Sequence, residues 1–333
     1  MNIKTIVINW HITESCNYKC KYCFAKWNRV KEIWINPDNV RKILENLKSI
    51  RLEESLFTQK RLNIVGGEPI LQQERLWQVI KMAHEMDFEI SIITNGSHLE
   101  YIRPFIHLIS QVGVSIDSFN HETNVKIGRE CNGKTISFQQ LKEKLENLRT
   151  LNPGLNIKIN TVVNEYNFNE ILVDRMAELK VDKWKILRQL PFDGKEGISD
   201  FKFNTFLFNN LKEEKMPKKE PLSHFLTAFD APQKPSNVIF VEDNDVMTES
   251  YLMIAPDGRL FQNGHKEYEY SRPLTEVSID EALEEINFDQ EKFNNRYENY
   301  ATKEAKYRME EFFLMNEYED DSFDCYCPFG DKD

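Results

Sequence analysis

Asn9-Trp10-His11-Ile12-Thr13-Glu14-Ser15-Cys16-Asn17-Tyr18-Lys19-Cys20-Lys21-Tyr22-Cys23-Phe24 holds three of the chain's six cysteines, spaced C-x3-C-x2-C. A β-branched run, Thr5–Trp10, leads straight into it. In α/β barrels the loops that follow strands carry the chemistry. A disulfide framework suits this trio poorly, because one thiol would be left over and the N-terminus shows no export pattern. Metal binding suits it better. Three thiolates on one short loop can hold three irons of a [4Fe–4S] cluster and leave the fourth open to another ligand. Zinc is the alternative, with His11 or Cys131 as fourth ligand. Zinc motifs usually come as C-x2-C pairs, and Cys325-x-Cys327 is spaced too tightly to supply one.

Outward from the loop, short β-branched runs alternate with helical patterns. Strands are expected at Thr5–Trp10, Arg61–Val65, Phe88–Thr94, Gln111–Asp117, Asn156–Val163 and Lys183–Leu190. Helices are expected at Asn36–Leu52, Gln73–Met86, His98–Ile109, Ser137–Leu151 and Asn169–Leu179. This alternation implies βαβ units and a parallel sheet. Six units are too few for a full eightfold barrel, so an α/β fold of the partial (βα)6 barrel type is expected, with a doubly wound sheet as the alternative. Past residue 200 the pattern changes to a Phe-rich stretch (Phe201–Phe208), a charged connector (Lys212–Glu220) and a hairpin over Glu249–Asn263 turning at Pro256-Asp257-Gly258. Another helix starts near Asp280. The organisation expected is a barrel over residues 1–200, a C-terminal region with hairpin and lid over 201–300, and an acidic tail over 301–333.

Successive strand side chains point to opposite faces. Ile6 and Ile8 alternate with Val7 and Asn9, Leu62 and Ile64 with Arg61 and Asn63, and Val114 and Ile116 with Ser115 and Asp117. Ile157 and Ile159 alternate with Lys158 and Asn160, and Trp184 and Ile186 with Lys183 and Lys185. One face meets helices. The other is polar, and agreement across five strands favours a ligand-filled lumen over a merely solvated face. Arg61, Lys158, Lys183 and Lys185 fall on that face, although the chain has 43 Lys+Arg against 54 Asp+Glu and a net charge of −11. That balance argues against coating nucleic acid. Inward cations need anionic partners, and a triphosphate is a suitable one; salt bridges to Asp117 or Glu68 are the plainer reading. Asn9, Asn63 and Asn160 could hold ribose hydroxyls or base edges, or be satisfied core amides. His11 could join them or be a packed histidine.

The cysteine loop, with aromatic Tyr22 before its last cysteine, resembles the signature of radical S-adenosylmethionine (SAM) enzymes. Gly66-Gly67-Glu68-Pro69 after the second strand resembles the family's GGEP segment. Within the superfamily, Asn9-x-His11, Cys16-Asn17-Tyr18-Lys19-Cys20, Ser115-Ile116-Asp117-Ser118-Phe119, Ile127-Gly128-Arg129, Lys158-Ile159-Asn160 and Trp184-Lys185 resemble segments of the viperin group. The resemblance runs from about residue 5 to about residue 300. It implies a [4Fe–4S] cluster on Cys16, Cys20 and Cys23. It also implies SAM bound by Tyr22, Gly66, Gly67, Glu68, Asn95, Ser115 and Arg129, and a nucleotide held by Asn9, His11, Arg61, Asn63, Lys158, Asn160, Lys183 and Lys185.

The activity implied is conversion of CTP, UTP or GTP to its 3′-deoxy-3′,4′-didehydro form, an antiviral product. An adenosyl radical takes hydrogen from C4′ and the 3′-hydroxyl leaves as water. Tyr300 is the implied proton donor or lid residue, though Tyr297-Glu298 stands where the family has a glycine pair. An electron-donor protein such as a flavodoxin or ferredoxin is the implied partner. A soluble cytoplasmic enzyme without membrane or nucleic-acid partners is expected, because the membrane-binding helix of animal viperins has no counterpart. Two other readings are a radical SAM peptide-modifying maturase, which usually carries more cysteines, and a zinc-stabilised non-catalytic module, which gives the cationic face and GGEP no role.

Overall fold

The structure, a computed structural model, describes residues 4–51, 57–191, 196–211, 238–243, 247, 249–262 and 268–294. Tyr300, Cys325, Cys327, the connector at 212–220 and the tail at 301–333 lie outside the described residues. Seven strands run parallel in chain order: β1 (Lys4–His11), β2 (Phe57–Val65), β3 (Glu89–Thr94), β4 (Gln111–Ser115), β5 (Asn156–Val163), β6 (Lys183–Arg188) and β7 (Val238–Glu242). A doubly wound sheet would reverse its strand order from the middle outward; this one does not. The expected six strands are present, and β7 adds a seventh beside β6. On the other flank β8 (Leu252–Ile254) pairs parallel with β1, and β9 (Arg259–Phe261) and β10 (Tyr270–Pro273) follow antiparallel. The result is one open ten-stranded sheet ending in β10 and β7. β8 and β9 are the hairpin read from the sequence, and Gly258 takes φ +81° at its turn.

The outer face is built from strict periodicities. Ile6, Ile8 and Trp10 of β1 are buried, as are Val40, Ile43, Leu44 and Leu47 of helix α1 (Pro37–Ser49). Helix α2 (Gln73–Glu85) repeats the spacing with Leu76, Val79, Ile80 and Ala83. Each fully buried aliphatic side chain contributes roughly 2 kcal/mol. Local signals set the helix starts. Asn36 accepts from the Asp38 amide at 2.9 Å with Pro37 at the first helical position. Ser137 and Gln140 form a capping box on the helix Phe138–Leu151.

Two helices differ from expectation. Leu99–Leu108 is wound as 3₁₀ turns around Pro104, which lacks the N–H that an α-helix interior needs, and Phe105 leaves helical geometry. The helix expected from Asn169 begins only at Val173. The Asn167 side chain accepts from the Asn164 amide at 2.7 Å and donates to the Asp117 carbonyl at 2.8 Å, so asparagine side chains hold this stretch as a turn. Among the described residues no helix is long and apolar enough to cross a membrane.

Candidate active site

Every loop leaving the C-terminal ends of β1 to β4 converges on the cysteine segment. Helix α3 (His121–Ile127) ends in Gly128 at φ +90°, and there the Lys19 amide donates to the Gly128 carbonyl at 3.0 Å and the Lys21 amide to Ile127 at 2.9 Å. A Cβ at Gly128 would overlap the Lys19 carbonyl oxygen, so this close approach requires glycine. The Gly67 amide donates to the Thr13 carbonyl at 2.6 Å and the Glu68 amide to Ser15 at 2.7 Å. A Cβ on Gly67 would overlap the Ser15 and Glu14 carbonyl oxygens. Gly67 therefore seats the β2 loop, and Gly128 the end of α3, against the cysteine loop, a reason for them that lies within the protein itself.

Cys16 is exposed, and Cys20, Cys23 and Cys131 are half-buried free thiols. Burial pushes the Cys20 thiol up to about 12. Thiolates there call for bound cationic metal, which deprotonates a coordinating thiol. The Cys16 sulfur already accepts from the Tyr18 amide at 3.4 Å and faces the Asn95 amide nitrogen at 3.9 Å, contacts that favour a negative sulfur. Among the described residues no three His, Cys, Asp or Glu side chains gather where a single ion could sit. A cluster makes no such demand, because each thiolate takes its own iron. The donor set thus fits a three-cysteine cluster.

Beside the thiols lies a buried triad. The Asp117 carboxylate, fully buried after β4, accepts from the Arg129 guanidinium and the Tyr22 hydroxyl, and Arg129 also donates to the Tyr22 oxygen at 2.5 Å. The other Asp117 oxygen accepts from the Val162 amide at 2.9 Å. Burial holds the Tyr22 phenol well above its ordinary value, so it remains a donor. Glu68 is buried under Asn95: it accepts from the Asn95 amide at 2.6 Å and the Thr94 hydroxyl at 2.8 Å, and burial pushes it up to about 7. The Asn95 side chain donates to the Asn17 side chain at 2.8 Å. A cavity of about 140 Å³ opens alongside, lined by Tyr22, Ile127, Asn164, Tyr166 and Gln189.

The polar face of the sheet carries the remaining residues in rows. In one row the Asn63 amide donates to Asn9 at 2.6 Å and the Ser91 hydroxyl donates to Asn63 at 2.8 Å, so these amides partner one another across three strands. In the next, Gly113, Lys158 and Lys183 are neighbours in register, and the Lys183 ammonium stands 3.7 Å over the Phe240 ring. Above them come Ser115, Asn160 and Lys185. Lys185, 4% exposed, pairs with Glu242 of β7 at 2.5 Å and donates to the Tyr251 hydroxyl, which itself donates to Glu242.

The salt-bridge partners are thus not those expected: Asp117 holds Arg129, and Glu242 holds Lys185. Nor does Arg61 join the lysines. It shares their face but pairs with Glu89 at 2.6 Å, and Ile93, level with Lys158 through Gly113, stands four residues further along β3 than Glu89. His11 is buried among Phe24, Trp27 and Phe261, with ring centroids 5.6, 5.0 and 6.0 Å away. Burial lowers it to about 3, so the ring is neutral and offers no charge to an anion. Sequence reasoning missed Glu242 and Tyr251 as parts of this face; the run Val238-Ile239-Phe240-Val241-Glu242 was the available signal.

With this geometry in view, comparison with known proteins is direct. The family model of the radical SAM superfamily matches residues 10–175. An S-adenosylmethionine-dependent nucleotide dehydratase of Fibrobacter sp. is 94% identical over 333 residues, all of both chains. A protein of the same name from Psychrobacter lutiphocae is 35% identical over 307 residues, 88% of this chain and 95% of that one. The S-adenosylmethionine-dependent nucleotide dehydratase RSAD2 of Oncorhynchus mykiss is 26% identical, covering 91% of this chain and 82% of its own. Among solved structures, Streptococcus suis SuiB bound to S-adenosylmethionine superposes with a TM-score of 0.53 at 14% identity, covering 87% of this chain and 67% of that one. It shares the fold. The chain belongs to the S-adenosylmethionine-dependent nucleotide dehydratases of the radical SAM superfamily.

Proposed function

We propose that this protein dehydrates a ribonucleoside triphosphate, CTP, UTP or GTP, to its 3′-deoxy-3′,4′-didehydro form. The observation that carries the reading is the pairing of Lys158 with Lys183, directly opposite on adjacent strands, with Lys185 one row above. Like charges directly opposite one another destabilise a sheet. A polyanion lying across both strands turns that cost into binding, and a triphosphate has the charge and length to do so. Of the three, Lys185 lies furthest toward the C-terminal strand ends, the side from which the cysteine loop leaves β1.

Bound to Cys16, Cys20 and Cys23, a [4Fe–4S] cluster with SAM supplies reductive cleavage of the sulfonium and a carbon radical able to take hydrogen from C4′. The protein's own part is to position. Asn95 directly follows β3 and Ser115 ends β4, on the side of the sheet from which the cysteine loop leaves, and these two would meet the adenosine. Arg129 offers its guanidinium to the SAM carboxylate, and Asp117 fixes that guanidinium from behind. The buried Glu68 closes the floor of the β2 loop. An external protein supplies the electron, and the setting is the cytoplasm, without nucleic-acid or membrane partners.

Asp117→Asn retains an oxygen for the Val162 amide but removes the charge that anchors Arg129. The expected result is SAM binding weakened about tenfold or more, a hydrogen bond to a charged group being worth roughly 1.5–3 kcal/mol, with the cluster's visible absorbance intact. Unchanged SAM affinity by calorimetry would remove Arg129 from the SAM site. The function itself is tested by supplying dithionite-reduced, reconstituted protein with SAM and each of CTP, UTP, GTP and ATP. One nucleotide at least should lose the mass of water while 5′-deoxyadenosine accumulates. No dehydrated product with any of the four defeats the proposal.

A further inference from the structure

We infer that the outer rim of the cysteine loop is the docking surface for an acidic, one-electron donor protein. The inference rests on the reading above that the loop carries a cluster needing reduction, and adds to it where the reductant binds. The chain is net acidic at −11, yet residues 17–31 contain Lys19, Lys21, Lys26, Arg29 and Lys31 and no Asp or Glu. All five are exposed. Lys19 and Lys21 alternate with the half-buried Cys20 and Tyr22, so the loop turns its ligand side inward and its charges outward.

The fold extends this rim on both sides. The hydrogen bonds that the Lys19 and Lys21 backbone amides donate to the Gly128 and Ile127 carbonyls bring the end of α3, with exposed Lys126, against the loop. At the other side the Arg29 amide donates to Glu14 at 3.2 Å, which sets Arg29 two residues from the start of the cysteine segment, where Cys16 itself reaches the surface. The nearby carboxylates are engaged within the fold. Glu14 takes the Arg29 and Val30 amides, Glu130 the Gly133 amide at 2.5 Å, and Glu165 pairs with Lys202. Glu122, exposed on α3, is the acid that adjoins Lys126.

A cationic rim over a metal ligand on an otherwise anionic protein steers an anionic partner to one place. It is also the right place, because an electron must enter close to the metal. In the transfer, the donor's cofactor loses one electron and the oxidised cluster gains it, with no proton or bond change. A nucleic acid is the other anionic macromolecule such a rim could attract, but it brings no electron.

The test uses the reconstituted holoprotein and a purified bacterial flavodoxin, kept reduced by NADPH and its reductase. The charge-reversed variant Lys26→Glu/Arg29→Glu/Lys126→Glu touches no residue placed in the cluster, SAM or nucleotide sites. The variant should keep its cluster absorbance and wild-type 5′-deoxyadenosine production with dithionite. With flavodoxin as reductant, its rate should fall about tenfold or more at low salt. Its affinity for flavodoxin, measured by biolayer interferometry, should fall by a similar factor, and added salt should bring the wild type down toward the variant. Equal flavodoxin affinity in both proteins overturns the inference. So does retention of a single-stranded RNA on the rim with no flavodoxin binding. Failure of dithionite-reduced wild type to cleave SAM would instead overturn the functional reading, while the affinity comparison still decides the docking surface.

Discussion

Cys20→Ala is expected to yield a folded protein that assembles no iron–sulfur chromophore and cleaves no SAM. The loop has three thiols, and a cluster that takes each on a separate iron loses a third of its protein ligands with this change. Among the described residues no further cysteine belongs to this loop. Cys131, the remaining described thiol, lies in a tight turn in which its amide and that of Lys134 each donate to the other's carbonyl at 3.0 Å. The core, in contrast, barely registers the substitution. Cys20 is half-buried at the rim, away from the α1 and α2 faces that seal the sheet, so the apo proteins should unfold within about 1 kcal/mol of each other. Iron, sulfide and zinc analysis of both proteins is the check. Stoichiometric zinc in the wild type, or 5′-deoxyadenosine from the variant, would show that the loop serves another purpose.

Lys185→Ala should produce the next largest effect, on two separable quantities. The ammonium 2.5 Å from Glu242 is nearly inaccessible, and removing one partner of a buried pair costs about 3–5 kcal/mol, because the other charge stays in the interior. For a chain of this size that lowers Tm by about 4–7 °C. Nucleotide affinity should fall at least about tenfold as well, through loss of one charge-assisted phosphate contact. The double variant Lys185→Met/Glu242→Gln separates the two. It retains an acceptor for Tyr251 and leaves no unpaired charge, so Tm should recover while nucleotide binding stays weak. Recovery of both would show that Lys185 acts through the stability of β6 and β7 and not on the substrate.

Much of the fold was legible because burial writes itself into sequence as period. Ile6, Ile8 and Trp10 against Val40, Ile43, Leu44 and Leu47 fix one layer on another without further information. The metal-binding loop was legible for a different reason: three thiols within eight residues have few chemical uses. β7 escaped because the helix before it, Asp200–Leu211, reads in the sequence as a Phe-rich stretch without a clear polar face, so it does not announce a βα unit. The partners of the inward residues escaped for a deeper reason. Lys185 meets Glu242, Arg61 meets Glu89 and Asn9 meets Asn63 only through strand register, which is set by the whole sheet. Parity told which face each residue occupies; it did not tell its level along the strand, and that is why Arg61 was grouped with lysines it does not approach. The family glycines show the same limit. Gly67 and Gly128 answer to backbone contacts with the cysteine loop that become visible only once the loops are in place.

The central claim is that a radical generated at the cysteine loop reaches the sugar of a nucleotide held by the inward lysines. The most direct measurement supplies the accepted nucleotide with deuterium at C4′ and follows the label by mass spectrometry. The account predicts one deuterium in 5′-deoxyadenosine and none at C4′ of the dehydrated product. Unlabelled 5′-deoxyadenosine formed alongside product, or label transferred only from another sugar position, would contradict it.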